Sequence, residues 1–234
     1  LYQLNEKFGS EKDLIDFMRL SYRGNAKQLE NIDIFEQQYR ASDAIHWYTR
    51  DFCLYRLVNK AFRLGNVNSL FSLRLFIQDL YAQLRSLHEE QQQRRCEMKQ
   101  PIVRSFRGQV MLKEETRFLS PDKYVIVSSF FSTSMDREQA LGFIVGGVAN
   151  PNHVRVFFII NANMSLNSMP FADISAVSNL MNENEILYAP GTLFRIKSQR
   201  FDRYDDVHII ELDLCDEKNF PFKPIYDSFN MGHK

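Results

Sequence analysis

An α+β fold, helices first and strands after, is what the sequence predicts, on three observations. Proline is absent from residues 1–100, and all seven prolines stand at Pro101 or later. Glycine is sparse over the same stretch: Gly9, Gly24 and Gly65, then none until Gly108. Proline breaks a helix interior and glycine weakens it, so this first part can be helical almost throughout. Beyond Pro101, short runs rich in β-branched and aromatic residues alternate with turn formers, which is the pattern of strands. Helices followed by strands favour α+β over a doubly wound parallel sheet. The expected organisation is a helical lobe over 1–99 packed on a β core over 100–234, as one unit overall.

The elements follow from local spacing. Phe52, Tyr55, Asn59 and Phe62 line one face of a helix, with Ser42 or Asp43 as candidate caps for its start. Gly65 followed by Asn66 reads as a helix stop and a new N-cap. Leu70, Leu73, Ile77, Leu80, Leu84 and Leu87 step by three and four, one apolar stripe on a further helix. The stripe is too short for a sustained coiled-coil seam, so it is read as a core face. The polar stretch 89–99 is read as a frayed helix end or linker. Strands are expected over 124–131, 154–162, 185–188, 193–196 and 207–214, the last buried on both faces. A short helix is expected over 135–144.

Composition excludes several classes. The chain has 234 residues, enough for one large domain or a small lobe joined to a second, and its 29 Lys and Arg balance its 29 Asp and Glu. A nucleic-acid or membrane-surface binder needs a basic excess or stripe, and none is present. No apolar run approaches a membrane span. Cys53, Cys96 and Cys215 are few, far apart and odd in number, with no C-x-x-C spacing. They are read as reduced thiols in a reducing, intracellular compartment. The chain begins at Leu1 without a charged-then-apolar leader. It is therefore expected to be a piece of a longer protein, with any targeting signal missing from it.

Three motifs carry the chemistry. In Phe106-Arg107-Gly108-Gln109, an arginine stands beside a glycine in a strand. Read alone this is a surface pair; read as a site, it suits phosphate. Arginine offers a planar fork of donors, and glycine admits a ligand close to the backbone. Ser132-Thr133-Ser134 closes the run Ser128-Ser129-Phe130-Phe131 at a strand-to-helix junction. It is either an N-cap cluster or a set of small hydroxyls shaping a pocket floor. Glu183-Asn184-Glu185 enters a strand with both carboxylates on one face, where like charges repel and one pKa is raised. A solvated strand edge is the plainer alternative. No histidine or further carboxylate stands nearby at ligand spacing, so no metal is implied.

In this order, the three motifs resemble the signature of the arginine-specific mono-ADP-ribosyltransferases. That family includes actin-modifying bacterial toxins and effectors and vertebrate ecto-enzymes. The resemblance runs over 42–213. It takes in Ile45-His46-Trp47-Tyr48-Thr49, Asn59 and Arg63, and the trailing Pro190, Gly191 and Phe194. What it implies is an α+β chain whose β core is a split β-sandwich, with NAD as substrate, no metal, and a target protein carrying an accessible arginine as partner.

By the match, Arg107 would hold the NAD diphosphate and Gly108 would meet the nicotinamide amide. Ser132, with Thr133, would support the glutamate and the ribose. Phe143 would pack on the nicotinamide; a buried helix-face phenylalanine is the alternative. Glu185 would bond the ribose hydroxyl, and Glu183 would engage the incoming arginine. The segment 171–182 would meet the target through Phe171, Leu180 and Met181; Leu180 and Met181 stand where the family often has an aromatic. The 145–150 loop would cover the phosphates, with Gly146 where some toxins carry a second arginine. An NAD glycohydrolase using water as acceptor, and a catalytically silent interaction module, are the alternatives.

Overall fold

Six α-helices precede the first strand among the described residues. The computed structural model describes residues 10–145, 150–179 and 184–218. The chain divides into two compact units. The first comprises residues up to Glu90 with 128–131 and 170–189; the second comprises 91–127, 132–169 and 190 onward. No helix among the described residues is long and apolar enough to cross a membrane.

In the first unit, α1 (Glu11–Ser21) starts in a capping box formed by Ser10 and Asp13. Helices α2 (Ala26–Gln38), α3 (Ala44–Thr49), α4 (Cys53–Leu64), α5 (Val67–Ser72) and α6 (Arg74–Glu97, whose residues from Gln91 belong to the second unit) follow. Gly65 closes α4 in the left-handed conformation (φ 58°), and the Asn66 side chain caps α5, as the sequence implied. The cap expected from Ser42 or Asp43 is not made: α4 begins at Cys53 without a side-chain cap, and α3 occupies the residues before it. The helix stripe breaks at Leu73, the residue between α5 and α6, but Leu73, Ile77, Leu80 and Leu84 are all fully buried.

The core of this unit is aromatic. Phe35 stacks on Tyr39 at 4.5 Å between ring centroids and meets Trp47 edge-on at 5.0 Å. Residues 89–97 continue α6 instead of fraying, because Gln, Arg and Glu are good helix formers even without an apolar face.

Strand β5 (Phe171–Asp173) pairs antiparallel with β6 (Glu185–Tyr188) in the same unit. His88 of α6 is buried against them, its ring 5.1 Å from that of Phe171 and its Nδ1 2.8 Å from the Phe171 carbonyl oxygen. Burial pulls the His88 pKa below its ordinary 6.5, partly offset by the bond to Phe171 and the charge of Glu89. The unfolded chain therefore takes up a proton first as pH falls. The stability contributed by neutral His88 is present above pH 6.5 and is lost as pH drops through the lowered folded value. Thermal melts from pH 7.5 to 5 should show a smaller acid-side fall in Tm for His88→Gln than for the wild type; parallel curves would contradict this.

In the second unit the strand order is β2-β7-β8-β4-β1-β3. Its members are β1 (Ile102–Leu112), β2 (Tyr124–Ile126), β3 (Phe131–Ser134, whose first residue belongs to the first unit), β4 (His153–Asn163), β7 (Leu193–Asp202) and β8 (Val207–Leu214). All pairings in this set are antiparallel except β4 with β8. Val207, Ile209, Ile210, Leu212 and Leu214 are buried, as expected of a strand covered on both faces. The single strand expected over 124–131 is two, because 128–131 leaves this unit. Ser132-Thr133-Ser134 does not follow a strand over 128–131 but lies within β3, after its first residue Phe131.

Candidate active site

Arg107 lies in the middle of β1, opposite Phe158 of β4, and Gly108 lies opposite Phe157. Residues i and i+2 share a strand face, and the Arg107 Nε–H donates to Gln109 Oε1 at 3.3 Å. A terminal nitrogen of the same guanidinium donates to the Ser132 carbonyl at 2.6 Å. Two motifs separated in sequence thus meet through one charge-assisted hydrogen bond. The Ser132 hydroxyl is half-buried and makes no hydrogen bond among the described residues.

The rest of Ser-Thr-Ser is fastened inward. Thr133 is buried. Ser134 donates its hydroxyl proton to Gln139 at 2.7 Å and accepts from the Asp136 N–H at 2.9 Å. The N-cap of α7 (Arg137–Gly142) is Asp136, which accepts from the backbone of Glu138 and Gln139. The hydroxyl cluster is therefore no cap; Ser134 ties β3 to the start of α7.

Helix α7 explains Gly108. A Cβ built at this position would stand 2.3 Å from the Ala140 carbonyl oxygen and 3.1 and 3.2 Å from the Ile144 side chain. Only glycine lets the helix backbone come this close to β1. Ile144 fills the core with Ala140, Phe157, Val207 and Ile209. Phe143, one residue earlier, is 70 % exposed at the end of α7. The alternative of a buried helix-face phenylalanine is therefore excluded.

In the first unit, Glu185 opens β6 with only 7 % of its surface exposed. Its backbone is pinned on both sides: its N–H donates to Ser175 Oγ at 3.2 Å, and its carbonyl accepts from the Ile174 N–H at 2.9 Å. Ser175 is in turn held by Asp173, which accepts from its hydroxyl at 2.6 Å and from its N–H at 3.0 Å. Further along, the Asn179 N–H donates to Thr49 Oγ1 of α3 at 2.8 Å. Sequence reasoning gave Gln109 no role within its motif and missed Asp173 and Ser175. The Asp-x-Ser spacing behind a β-prone triplet was a readable sign of a side-chain-closed turn.

Phe171 faces the core. It is fully buried and stacked on Tyr188 at 5.0 Å, so it cannot meet a target protein. Leu180, Met181 and Glu183, and Gly146 with its neighbours 147–149, lie outside the described residues. Among the described residues no group of three His, Cys, Asp or Glu is placed to hold a metal ion. Burial pushes the Cys53 thiol up to about 12 and the Cys215 thiol up to about 11, so both stay protonated at neutral pH.

Comparison with known proteins supplies the context. A family model described as NAD:arginine ADP-ribosyltransferase matches residues 21–219. No curated protein sequence matches significantly. Among solved structures, the chain is similar to Vis in complex with agmatine, at 20 % identity over 88 % of this chain and 86 % of that one (TM-score 0.55). Vis is an ADP-ribosyltransferase toxin from Vibrio splendidus. The chain is also similar to the ADP-ribosyltransferase HopU1 of Pseudomonas syringae pv. tomato, at 19 % identity over 86 % and 87 % of the two chains (TM-score 0.56). A third similar structure is the C3 exoenzyme of Clostridium limosum, at 16 % identity over 90 % and 97 % (TM-score 0.51). At these identities the likeness shows a shared α+β fold.

Proposed function

Because the chain belongs to the NAD:arginine ADP-ribosyltransferase family, and so transfers ADP-ribose from NAD, we propose that its acceptor is the guanidinium of an arginine on a target protein. The observation that carries this reading is the Glu-x-Glu entry into β6, where Glu185 is buried and fixed through its backbone. The agmatine held by Vis, a small guanidine, also supports it.

In the reaction, the bond between the ribose C1′ and the nicotinamide nitrogen breaks, and nicotinamide leaves with the electron pair. The ribose becomes oxocarbenium-like, as in glycoside cleavage. Glu185 bonds the ribose hydroxyl, and its negative charge stabilises the positive centre. Its burial strengthens that interaction, since water does not screen it. A guanidinium is protonated in water and a poor nucleophile. Glu183 orients it and accepts the proton released as the new nitrogen–C1′ bond forms.

Arg107 binds the diphosphate through its charge, and Ser132 offers its hydroxyl to the ribose. Thr133, buried in β3, supports the strand that carries Ser132. Gly108 lies two residues past the rung that pairs Phe106 with Ser134, and its backbone meets the nicotinamide amide. Phe143 presents an exposed ring for stacking on nicotinamide. Leu180 and Met181 contact the target. The chain has no G-x-G-x-x-G dinucleotide fingerprint, so NAD is gripped by side chains of this set rather than by a helix N-terminus.

The division of labour is testable. Glu183→Gln should lower transfer to arginine by about 10²-fold or more, the usual worth of a positioned base, while NAD hydrolysis to free ADP-ribose stays within a few-fold of wild type. Parallel loss of both activities would contradict the separate roles of Glu183 and Glu185.

A further inference from the structure

A cavity of about 440 Å³ opens in the first unit, lined by none of the residues assigned above to NAD or to the arginine. Trp47, Arg50, Asp43, Gln83 and Val177 are among its lining residues. Trp47 is 4 % exposed, and the Arg50 guanidinium lies over its ring at 5.0 Å from the centroid. Stacking of this kind fixes a guanidinium while leaving its in-plane N–H edge for a ligand. Among the described residues no carboxylate stands within ion-pair distance of Arg50. Gln83 spends its oxygen on the Ile45 N–H at 2.8 Å, so the end it has left is the donor NH2. Asp43 already accepts from the Ser42 hydroxyl at 3.1 Å.

The cavity thus offers an ordered guanidinium fork and an amide donor, which suit a planar carboxylate. The charge of Asp43 in the same lining counts against a dianion such as phosphate. The wall at Val177 belongs to the segment that leads into β6 and Glu185, and the Asn179–Thr49 bond fastens that segment to α3. Val177 stands three residues before Leu180 in the sequence, the first of the two residues proposed above to contact the target.

We propose that this cavity receives an Asp or Glu side chain of the target protein and so contributes to the choice of target. The proposal rests on the reading of the acceptor as a protein arginine.

The sole tryptophan of the chain is Trp47, so its fluorescence reports the cavity directly. Arginine peptides carrying one Glu at varied spacing, and their Gln counterparts, are titrated against the protein and assayed for transfer. At one spacing the Glu peptide should change the fluorescence saturably and show a KM about tenfold or more below its Gln counterpart, the usual worth of a hydrogen bond to a charged group. Arg50→Gln should erase both differences, and Arg50→Lys should retain part of them, while transfer to agmatine, which carries no carboxylate, stays unchanged in both. Absence of a Glu preference at every spacing would overturn the proposal. So would an equal loss of agmatine and peptide transfer in Arg50→Gln, or saturation by glutarate alone at the same concentration as the peptide. If wild type fails to modify agmatine, the arginine reading fails, and the fluorescence arm still decides whether the cavity takes a carboxylate.

Discussion

Replacing Glu185 by glutamine should cut both ADP-ribose transfer and NAD hydrolysis by about 10²–10³-fold, the loss usual when one preorganised electrostatic group is removed from a developing charge. Glutamine keeps the shape of the side chain and removes only its charge. Among the groups that fix residue 185 are its own N–H and carbonyl, bonded to Ser175 and Ile174, and the substitution leaves both in place. The variant should therefore fold and retain NAD affinity within a few-fold, with the loss in kcat. A variant that still turns over NAD at near the wild-type rate would mean that another group stabilises the oxocarbenium centre.

The largest effect on stability is expected at Gly108. Alanine there places a methyl group 2.3 Å from the Ala140 carbonyl oxygen, and a backbone atom cannot swing aside as a side-chain tip can. Either α7 lifts from β1 or β1 bends. Overpacking of this kind costs about 1–3 kcal/mol, which for a chain of this size corresponds to a fall in Tm of roughly 2–12 °C. Because α7 carries Phe143 at its end, the shift should also raise the KM for NAD more than it lowers kcat. Unchanged Tm and KM in Gly108→Ala would show that α7 does not hold its contact with β1.

The contrast between these two positions shows what could be read from sequence. The role proposed for Glu185 rests on residue type and on its spacing from Glu183, both visible in the sequence, and the structure adds its burial. Gly108 was legible as a marker of close approach, but not what approaches. The sequence pointed to a ligand at its backbone, and the structure adds a second close approach, the Ala140 carbonyl on the side where a Cβ would stand. The helical half was readable from missing proline and from the stripe through Leu84, since helix contacts repeat locally.

The strand run over 124–131 was not divisible by the same means. Whether Ser128–Phe131 joins one unit or the other depends on partners distant in sequence, such as Phe130 against Tyr48 at 5.5 Å and Phe62 at 6.0 Å. Phe171 was misread for a related reason. An aromatic ahead of a loop looks like a contact residue until its stacking partner, Tyr188, is known. The role of Ser134 depended on Gln139 and Asp136, near in sequence but arranged by a short helix whose cap, Asp136, had two plausible neighbours among the serines.

The most direct test of the arginine assignment is mass spectrometry of agmatine incubated with NAD and the protein, with Glu185→Gln as the control. The expected products are ADP-ribosyl-agmatine, with nicotinamide released in an amount equal to adduct plus free ADP-ribose, formed by the wild type and lost in the variant. Nicotinamide with only free ADP-ribose, and no adduct on agmatine or on arginine in added protein, would contradict transfer to a guanidinium and leave water as the acceptor.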